Sequence, residues 1–310
     1  MNPNQTLHGI LLMVAFTILA PLLDMSSKLA TETLPVGQIT TARFVVQLLC
    51  MIPVSLALRL PLSASATDIG LTLLRALFLI GSTFCFIAGV AVMPIADALA
   101  IVFVMPFILM FMGWAFFGNR VGPRRIAASA VGFGGALLVI QPSVSHWGLV
   151  ALYPLGTAFL FSFYEILTQS LAPRMHPVTM QLHTSIAGSL ITVPLLYFAN
   201  GSGITAIDAL MPHGTAWLWL FGVGFWAAVS HLCMTFALKF APAATLAPLH
   251  YLEIVVAVII GYFVWGTFPN LSTWAGIVVI VGSGLYIIHR EHVTAGADPA
   301  KPPPMPTTAV

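Results

Sequence analysis

Residues 82–118 read STFCFIAGVAVMPIADALAIVFVMPFILMFMGWAFFG, and residues 230–266 read SHLCMTFALKFAPAATLAPLHYLEIVVAVIIGYFVWG. Laid over each other at an offset of 148 without a gap, they align Ser82 with Ser230, Cys85 with Cys233, Pro94 with Pro242, Ala96 with Ala244, Gly113 with Gly261 and Gly118 with Gly266. Continuing the overlay aligns Gly134 with Gly282 and Ile140 with Ile288. Apolar helices match Leu, Val and Ala by composition alone, but a collinear set of Pro and Gly points to duplication. Toward the N-terminus the offset falls to about 142, which places Pro35 on Pro177 and puts the extra residues of the second half around Asn200 to His213.

The surroundings of this repeat are hydrocarbon. Of 310 residues, 59% are hydrophobic and only 6% charged, against roughly a quarter charged in a soluble domain. So little polar surface excludes a water-soluble globule, and a formal charge of +2 supplies no basic field for nucleic acid. A window of about 20 residues, the length of a helix crossing the bilayer core, finds ten apolar segments: 8–30, 36–58, 70–92, 95–117, 122–141, 148–170, 177–198, 215–238, 243–265 and 272–289. Pro35, Pro61, Pro94, Pro123, Pro142, Pro177, Pro212, Pro242 and Pro269 punctuate them. Sustained period-2 alternation is missing from these runs, which argues against barrel strands.

The expected fold is therefore an all-α membrane protein of ten transmembrane helices, built as a five-plus-five inverted repeat around a central cavity. An odd number of spans per repeat makes the two halves enter the membrane from opposite faces, a design found in many secondary transporters. The expected division is 1–143 for the first repeat, 144–289 for the second and 290–310 for a disordered cytoplasmic tail rich in Pro, Ala and Thr. Arg59, Arg120, Arg124, Arg125, Arg174, Lys239, Arg290 and Lys301 collect on the side shared by both termini, which assigns that side to the cytoplasm. The first run carries Asp24 and Lys28, has no Lys or Arg before it and no small-residue cleavage site; it is expected to stay as a spanning helix rather than leave as a signal peptide. Cys50, Cys85 and Cys233 lie singly in apolar runs and read as small buried hydrophobes.

On the repeat itself, on Asp24-x-x-x-Lys28, on Ala42-Arg43-Phe44, and on the Pro-x-Ala stretches Pro94 to Ala96 and Pro242 to Ala244, the chain resembles the drug/metabolite transporter superfamily, in particular its ten-helix bacterial EamA-type carriers. The resemblance spans residues 8 to 289. Many such carriers place a Glu after the Gly closing the fourth and ninth helices, where this chain has Asn119 and Thr267, so no role drawn from that Glu transfers. The resemblance implies a bacterial inner-membrane carrier of small polar or amphipathic metabolites, with amino acids leading and export the leading direction. Import of a vitamin or nucleoside is the alternative, and a channel or lipid scramblase the rival from another class. No enzyme motif, cofactor or metal is expected; the expected partners are a small-molecule substrate, the bilayer and protons as a coupling ion.

Ionisable groups inside spans are the informative ones, because each costs about 2.5 to 3.5 kcal/mol at the bilayer midplane on insertion scales. Asp24 and Lys28 lie i,i+4 and can pair, either as a structural ion pair or as a gating pair that opens when substrate or a proton replaces one partner. Arg43 either snorkels to the interface or reaches the cavity to fix a carboxylate, with Gln47 continuing its face. Glu165, beside Tyr164, Thr168 and Gln169, falls within a residue of Asp24 under the first-half alignment. His250 and Glu253, i,i+3 with Tyr251 between them, read as a substrate or proton site or as a structural hydrogen bond. His183 and His231 read as bundle-interior hydrogen-bonding groups. Phe78 with Trp226, and Phe103 with Tyr251, are repeat-equivalent aromatics that either pack or line the cavity. The fifth and tenth segments, with Ala128, Gly132, Ala136, Gly276, Gly282 and Gly284, read as packing helices outside the transport path.

Overall fold

In a computed structural model of the chain, the described residues are 3–61, 63–93, 95–119, 121–141, 148–266 and 270–296, and all their regular structure is helical. Pro94, Arg120, Pro142, Thr267, Pro269 and the stretch beyond Gly296 lie outside them. The helices are α1 (Pro3–Ala30), α2 (Val36–Ala57), α3 (Ala66–Val92), α4 (Ile95–Val102), α5 (Met105–Phe117), α6 (Pro123–Ile140), α7 (Leu152–Leu171), α8 (Pro177–Ala199), α9 (Ala216–Phe240), α10 (Ala243–Leu246), α11 (Leu252–Trp265) and α12 (Leu271–Gly296). α12 thus continues into the stretch expected to be a disordered tail.

Among the described residues, eight spans are long and apolar enough to cross a membrane, two of them made from α4 with α5 and from α10 with α11. α12, apolar over Leu271–Tyr286, and α6, 18 residues and so about 27 Å long, complete ten. Packing follows the repeat. α1 lies along α9 and α3 along α7, contacts that exchange when α1 is swapped for α7 and α3 for α9, while α2 pairs with α8 and α6 with α12. A two-fold relation between the halves accounts for all four pairings.

The fourth and ninth spans, expected to be continuous, are broken at matching places. α4 ends at Val102 and α5 starts at Met105; α10 passes into a 3₁₀ turn over Ala247–Tyr251 before α11. Pro106 and Pro248 stand at the first turns of α5 and of that 3₁₀ turn, where the missing N–H and the ring clash with the preceding turn interrupt a helix. The break frees carbonyls that lipid cannot satisfy. One of them, Phe103 O, accepts the Tyr251 hydroxyl at 3.1 Å, so the repeat-equivalent residues tie the two breaks together. Each broken span closes on a glycine in the left-handed region, Gly118 at φ 61° and Gly266 at φ 69°.

The expected packing role of the fifth and tenth segments agrees with the close approach of α6 and α12. A Cβ on Gly276 would stand 2.6 Å from the Gly135 carbonyl oxygen, closer than side chains allow.

Candidate functional site

The cavity occupies one end of the bundle. Ala20, Leu23, Asp24 and Ser27 come from the second half of α1, Arg43 from the first half of α2, Ser82, Thr83, Phe86 and Ile87 from the second half of α3, and Thr157 with Phe161 from the first half of α7. His231 of α9 and His250 and Glu253 of the second broken span form its floor and flank. It gives about 100 Å³ to water-sized occupants, room for several waters, since one needs about 10 to 15 Å³ on that measure. The opposite end is filled: Ile10, Met13, Met234, Leu238, Ala241, Ala243 and Leu246 are buried there in one apolar cluster.

Arg43 is buried and lines the cavity rather than snorkelling. Its guanidinium donates to Thr83 Oγ1 at 2.6 Å and approaches His231 Nε2 at 3.0 Å. A guanidinium only donates, so Nε2 must accept and the imidazole proton sits on Nδ1. From there it is donated to the Tyr164 hydroxyl oxygen, 3.1 Å away. That oxygen also accepts from Arg75 Nη2 at 2.8 Å, and the Arg75 guanidinium stacks 4.3 Å over the Tyr164 ring. His231, expected to be a bundle-interior hydrogen-bonding group, bridges through Tyr164 two arginines at different depths.

The acids pair differently from the expectation. Glu165 and His250 are both buried, with Oε1 and Nε2 3.1 Å apart but not aligned as a hydrogen bond. Glu253 faces Asp24, carboxyl to carboxyl, across the cavity wall. His250 belongs to the 3₁₀ turn and Glu253 to the first turn of α11, and that change of winding turns them toward separate acids. The expected i,i+3 pair is replaced by two pairs, each joining this break to one of the repeat-equivalent acids.

The Asp24–Lys28 ion pair does not form. Lys28 Nζ donates to the carbonyls of Val90 at 2.5 Å and Met93 at 3.4 Å, satisfying the C-terminal end of α3, where free carbonyls favour a cation. Asp24 faces the cavity between Glu253 and Arg43.

Of the expected aromatics, none lines the cavity. Phe103 and Tyr251 meet with centroids 5.7 Å apart at the junction of the broken helices. Phe78 stacks on Phe163 at 5.0 Å and Trp226 meets Phe225 edge-on at 5.1 Å, both as packing. The cavity's aromatic walls are Phe16, Phe86 and Phe161; Phe16 stands edge-on to both His231 and His250.

The sequence reading passed over Arg75 and Gln181. Arg75 is fully buried, and Gln181 donates to His231 O and Thr235 Oγ1, each at 2.8 Å. A detectable signal existed for Arg75, since it is the one Lys or Arg within segment 70–92 and bears the same insertion cost as Arg43.

A profile of the EamA-like transporter family matches residues 7–141 and again 147–289. The chain is 31% identical to a riboflavin transporter of Rhizobium johnstonii over 206 residues, 66% of this chain and 66% of that protein. It is 24% identical over 219 residues to an S-adenosylmethionine uptake transporter of Rickettsia felis, 71% of each. The pseudopaline exporter CntI of Pseudomonas aeruginosa is 24% identical over 278 residues, 88% of this chain and 93% of that one. A crystal structure 17% identical in sequence superposes with a TM-score of 0.74 over 94% of this chain and 99% of its own, which supports the fold. The chain is a multi-pass membrane protein and belongs to the EamA-like transporter family of the drug/metabolite transporter superfamily.

Proposed function

We propose that this protein is a secondary transporter of the inner membrane, with both termini cytoplasmic, that carries a small amphipathic metabolite by alternating access. The observation that carries the reading is a one-ended cavity in which three phenyl rings surround groups of opposite sign: Arg43 on one wall, Asp24 and Glu253 on another. Phe16, Phe86 and Phe161 offer edges and faces to a flat body, and Arg43 offers a planar fork to a carboxylate or conjugated carbonyl. Riboflavin and S-adenosylmethionine, named for two of the relatives, each join a flat ring system to polar groups; aromatic amino acids do the same. The facing carboxyls of Asp24 and Glu253 are the proposed coupling site, because a cationic group or a proton can each satisfy the pair.

Export is the direction the family resemblance implies. Uptake is the second reading, supported by the relative named for it. Purified protein in liposomes preloaded with riboflavin, S-adenosylmethionine or an aromatic amino acid mixture tests both. Saturable, counterflow-stimulated flux of at least one probe is expected, falling at least tenfold in Arg43→Gln, and an imposed pH gradient reports whether proton and substrate move together or oppose. Flux that never saturates, or flipping of a fluorescent lipid, would replace the carrier by a channel or scramblase.

A further inference from the structure

Arg75 presents a problem that the cavity does not solve. Its guanidinium is fully buried and bonded only to neutral groups: Nε to Thr168 Oγ1 at 2.7 Å, Nη1 to Thr184 Oγ1, Nη2 to Tyr164 and, at 3.5 Å, to Thr235. Among the described residues no carboxylate lies within ion-pair distance of it. Hydroxyls satisfy its protons but leave its charge uncompensated, and a buried unpaired charge is expensive unless the protein uses it.

The repeat shows where this charge lies. Cavity residues Thr83 and Ile87 correspond to His231 and Thr235 at the offset of 148, and Asp24 falls within a residue of Glu165 at about 142. The counterparts of the cavity walls are therefore the residues packed around Arg75 and Tyr164, closed here. In an inverted repeat, exchanging the conformations of the two halves closes the first set and opens the second. We propose that Arg75, with the hydroxyls of Thr168, Thr184 and Thr235, is a second substrate station: a binding site for a carboxylate-type anion that opens on the face of the bundle opposite the present cavity mouth. When that half hydrates, a planar oxyanion can take the guanidinium fork that the threonines now hold. Arg43 and Arg75, joined through His231 and Tyr164, then contact the same anionic group in successive states. The proposal rests on the alternating-access reading above.

The test reads charge preference at a thiol and needs no known substrate. In a variant lacking Cys50, Cys85 and Cys233, Thr235→Cys reports on the station and Ser27→Cys on the cavity mouth. Membrane-impermeant methanethiosulfonates carrying either a sulfonate or a quaternary ammonium are added to right-side-out and inside-out vesicles. Position 235 is expected to react from the side opposite to that at which position 27 reacts, with the sulfonate faster than the ammonium reagent by about tenfold, the factor that attraction and repulsion by one charge give at about 6 Å in water. The ratio cancels any change in thiolate fraction. Arg75→Lys should keep the preference and Arg75→Gln lose it, which separates charge from folding. Equal rates for both reagents regardless of residue 75, or no reaction at 235 from the opposite side, would overturn the proposal. A preserved preference alongside flux that never saturates would refute the carrier reading and leave the anion site standing.

Discussion

Breaking the Glu165–His250 contact is the sharpest probe of what holds the broken ninth span in place. Both side chains are 1% exposed, with Oε1 and Nε2 3.1 Å apart. An ionised pair at that distance attracts by about 5 kcal/mol at an effective dielectric of about 20, most of it offset by the desolvation of two charges. Removing one partner strands the other, so Glu165→Gln or His250→Asn alone should destabilise by about 3 kcal/mol. The double variant leaves no buried charge to strand and should recover most of that loss, costing only about 1 kcal/mol and so giving a coupling of about 5 kcal/mol against the two single losses. At about 2 to 4 °C per kcal/mol for a large domain, each single variant should melt roughly 6 to 12 °C lower in detergent, and the double variant well above the sum of the two losses. Single effects that add to within about 0.5 kcal/mol would show that the contact has no energetic content, and the case for a paired acid at this break would fall.

Three other outcomes follow from named contacts. Because Lys28 bonds the end of α3 and Asp24 faces Glu253 and Arg43 in the cavity, Asp24→Asn and Lys28→Gln should have additive effects on melting to within about 0.5 kcal/mol; a double variant more stable than Asp24→Asn alone would restore the ion pair expected from sequence. Gly276→Leu should lower stability by at least about 1 to 3 kcal/mol, since its Cβ would strike the Gly135 carbonyl, whereas Gly134→Ala, with nothing within 4 Å, should melt like the parent. His176, ahead of α8, is held below its ordinary value of 6.5 by burial and by Lys239; the unfolded chain therefore binds this proton more readily, and the group's contribution is present above about pH 6.5 and lost on acidification below it. His176→Asn, which can still cap Val178 N–H, should flatten that part of the melting curve's pH dependence.

How far the sequence carried the reading depends on what kind of signal each feature leaves. The repeat was legible because Pro and Gly are constrained by backbone geometry: Gly118 and Gly266 close their helices at positive φ, a role few other residues fill. The breaks in the fourth and ninth spans were not legible, since Phe103 and Val104 are ordinary helix residues and the prolines that enforce the breaks sit at non-equivalent positions, Pro106 and Pro248. Missing them led directly to the wrong pairing of His250, because helical periodicity was carried through a 3₁₀ turn. The aromatic expectation failed because equivalence under the repeat does not say which way a ring faces: Phe103 and Tyr251 meet each other at the junction of the broken spans, while Phe78 and Trp226 pack separately on Phe163 and Phe225. Arg43 was recognisable as a buried cation, but its link through His231 and Tyr164 to Arg75 joins four helices that are distant in sequence, α2, α9, α7 and α3. No local pattern encodes such a chain.

In the proposed cycle, the unequal chemistry of the two breaks gives a nearly symmetric scaffold a direction. At the first break the cavity is lined by Val102 and Met105; their counterparts at the offset of 148 are His250 and Glu253. One break therefore presents only apolar surface, while the other holds both of the groups that pair with Asp24 and Glu165. If both breaks carried acids, four carboxyls would crowd one low-dielectric centre, and their mutual repulsion would resist closing in either state. With charges at one break alone, the ninth span can exchange contacts between α1 and α7, the first helices of the two repeats, while the fourth supplies shape. In the proposed cycle, exchanging the two halves exchanges which acid faces water: Asp24 in the state seen here, Glu165 in the other. Proton or substrate binding at one acid then alters the hold on the ninth span, through Glu253 in one state and His250 in the other, and this gives a single mobile element differential contacts in each state, as any ligand-driven shift between states requires.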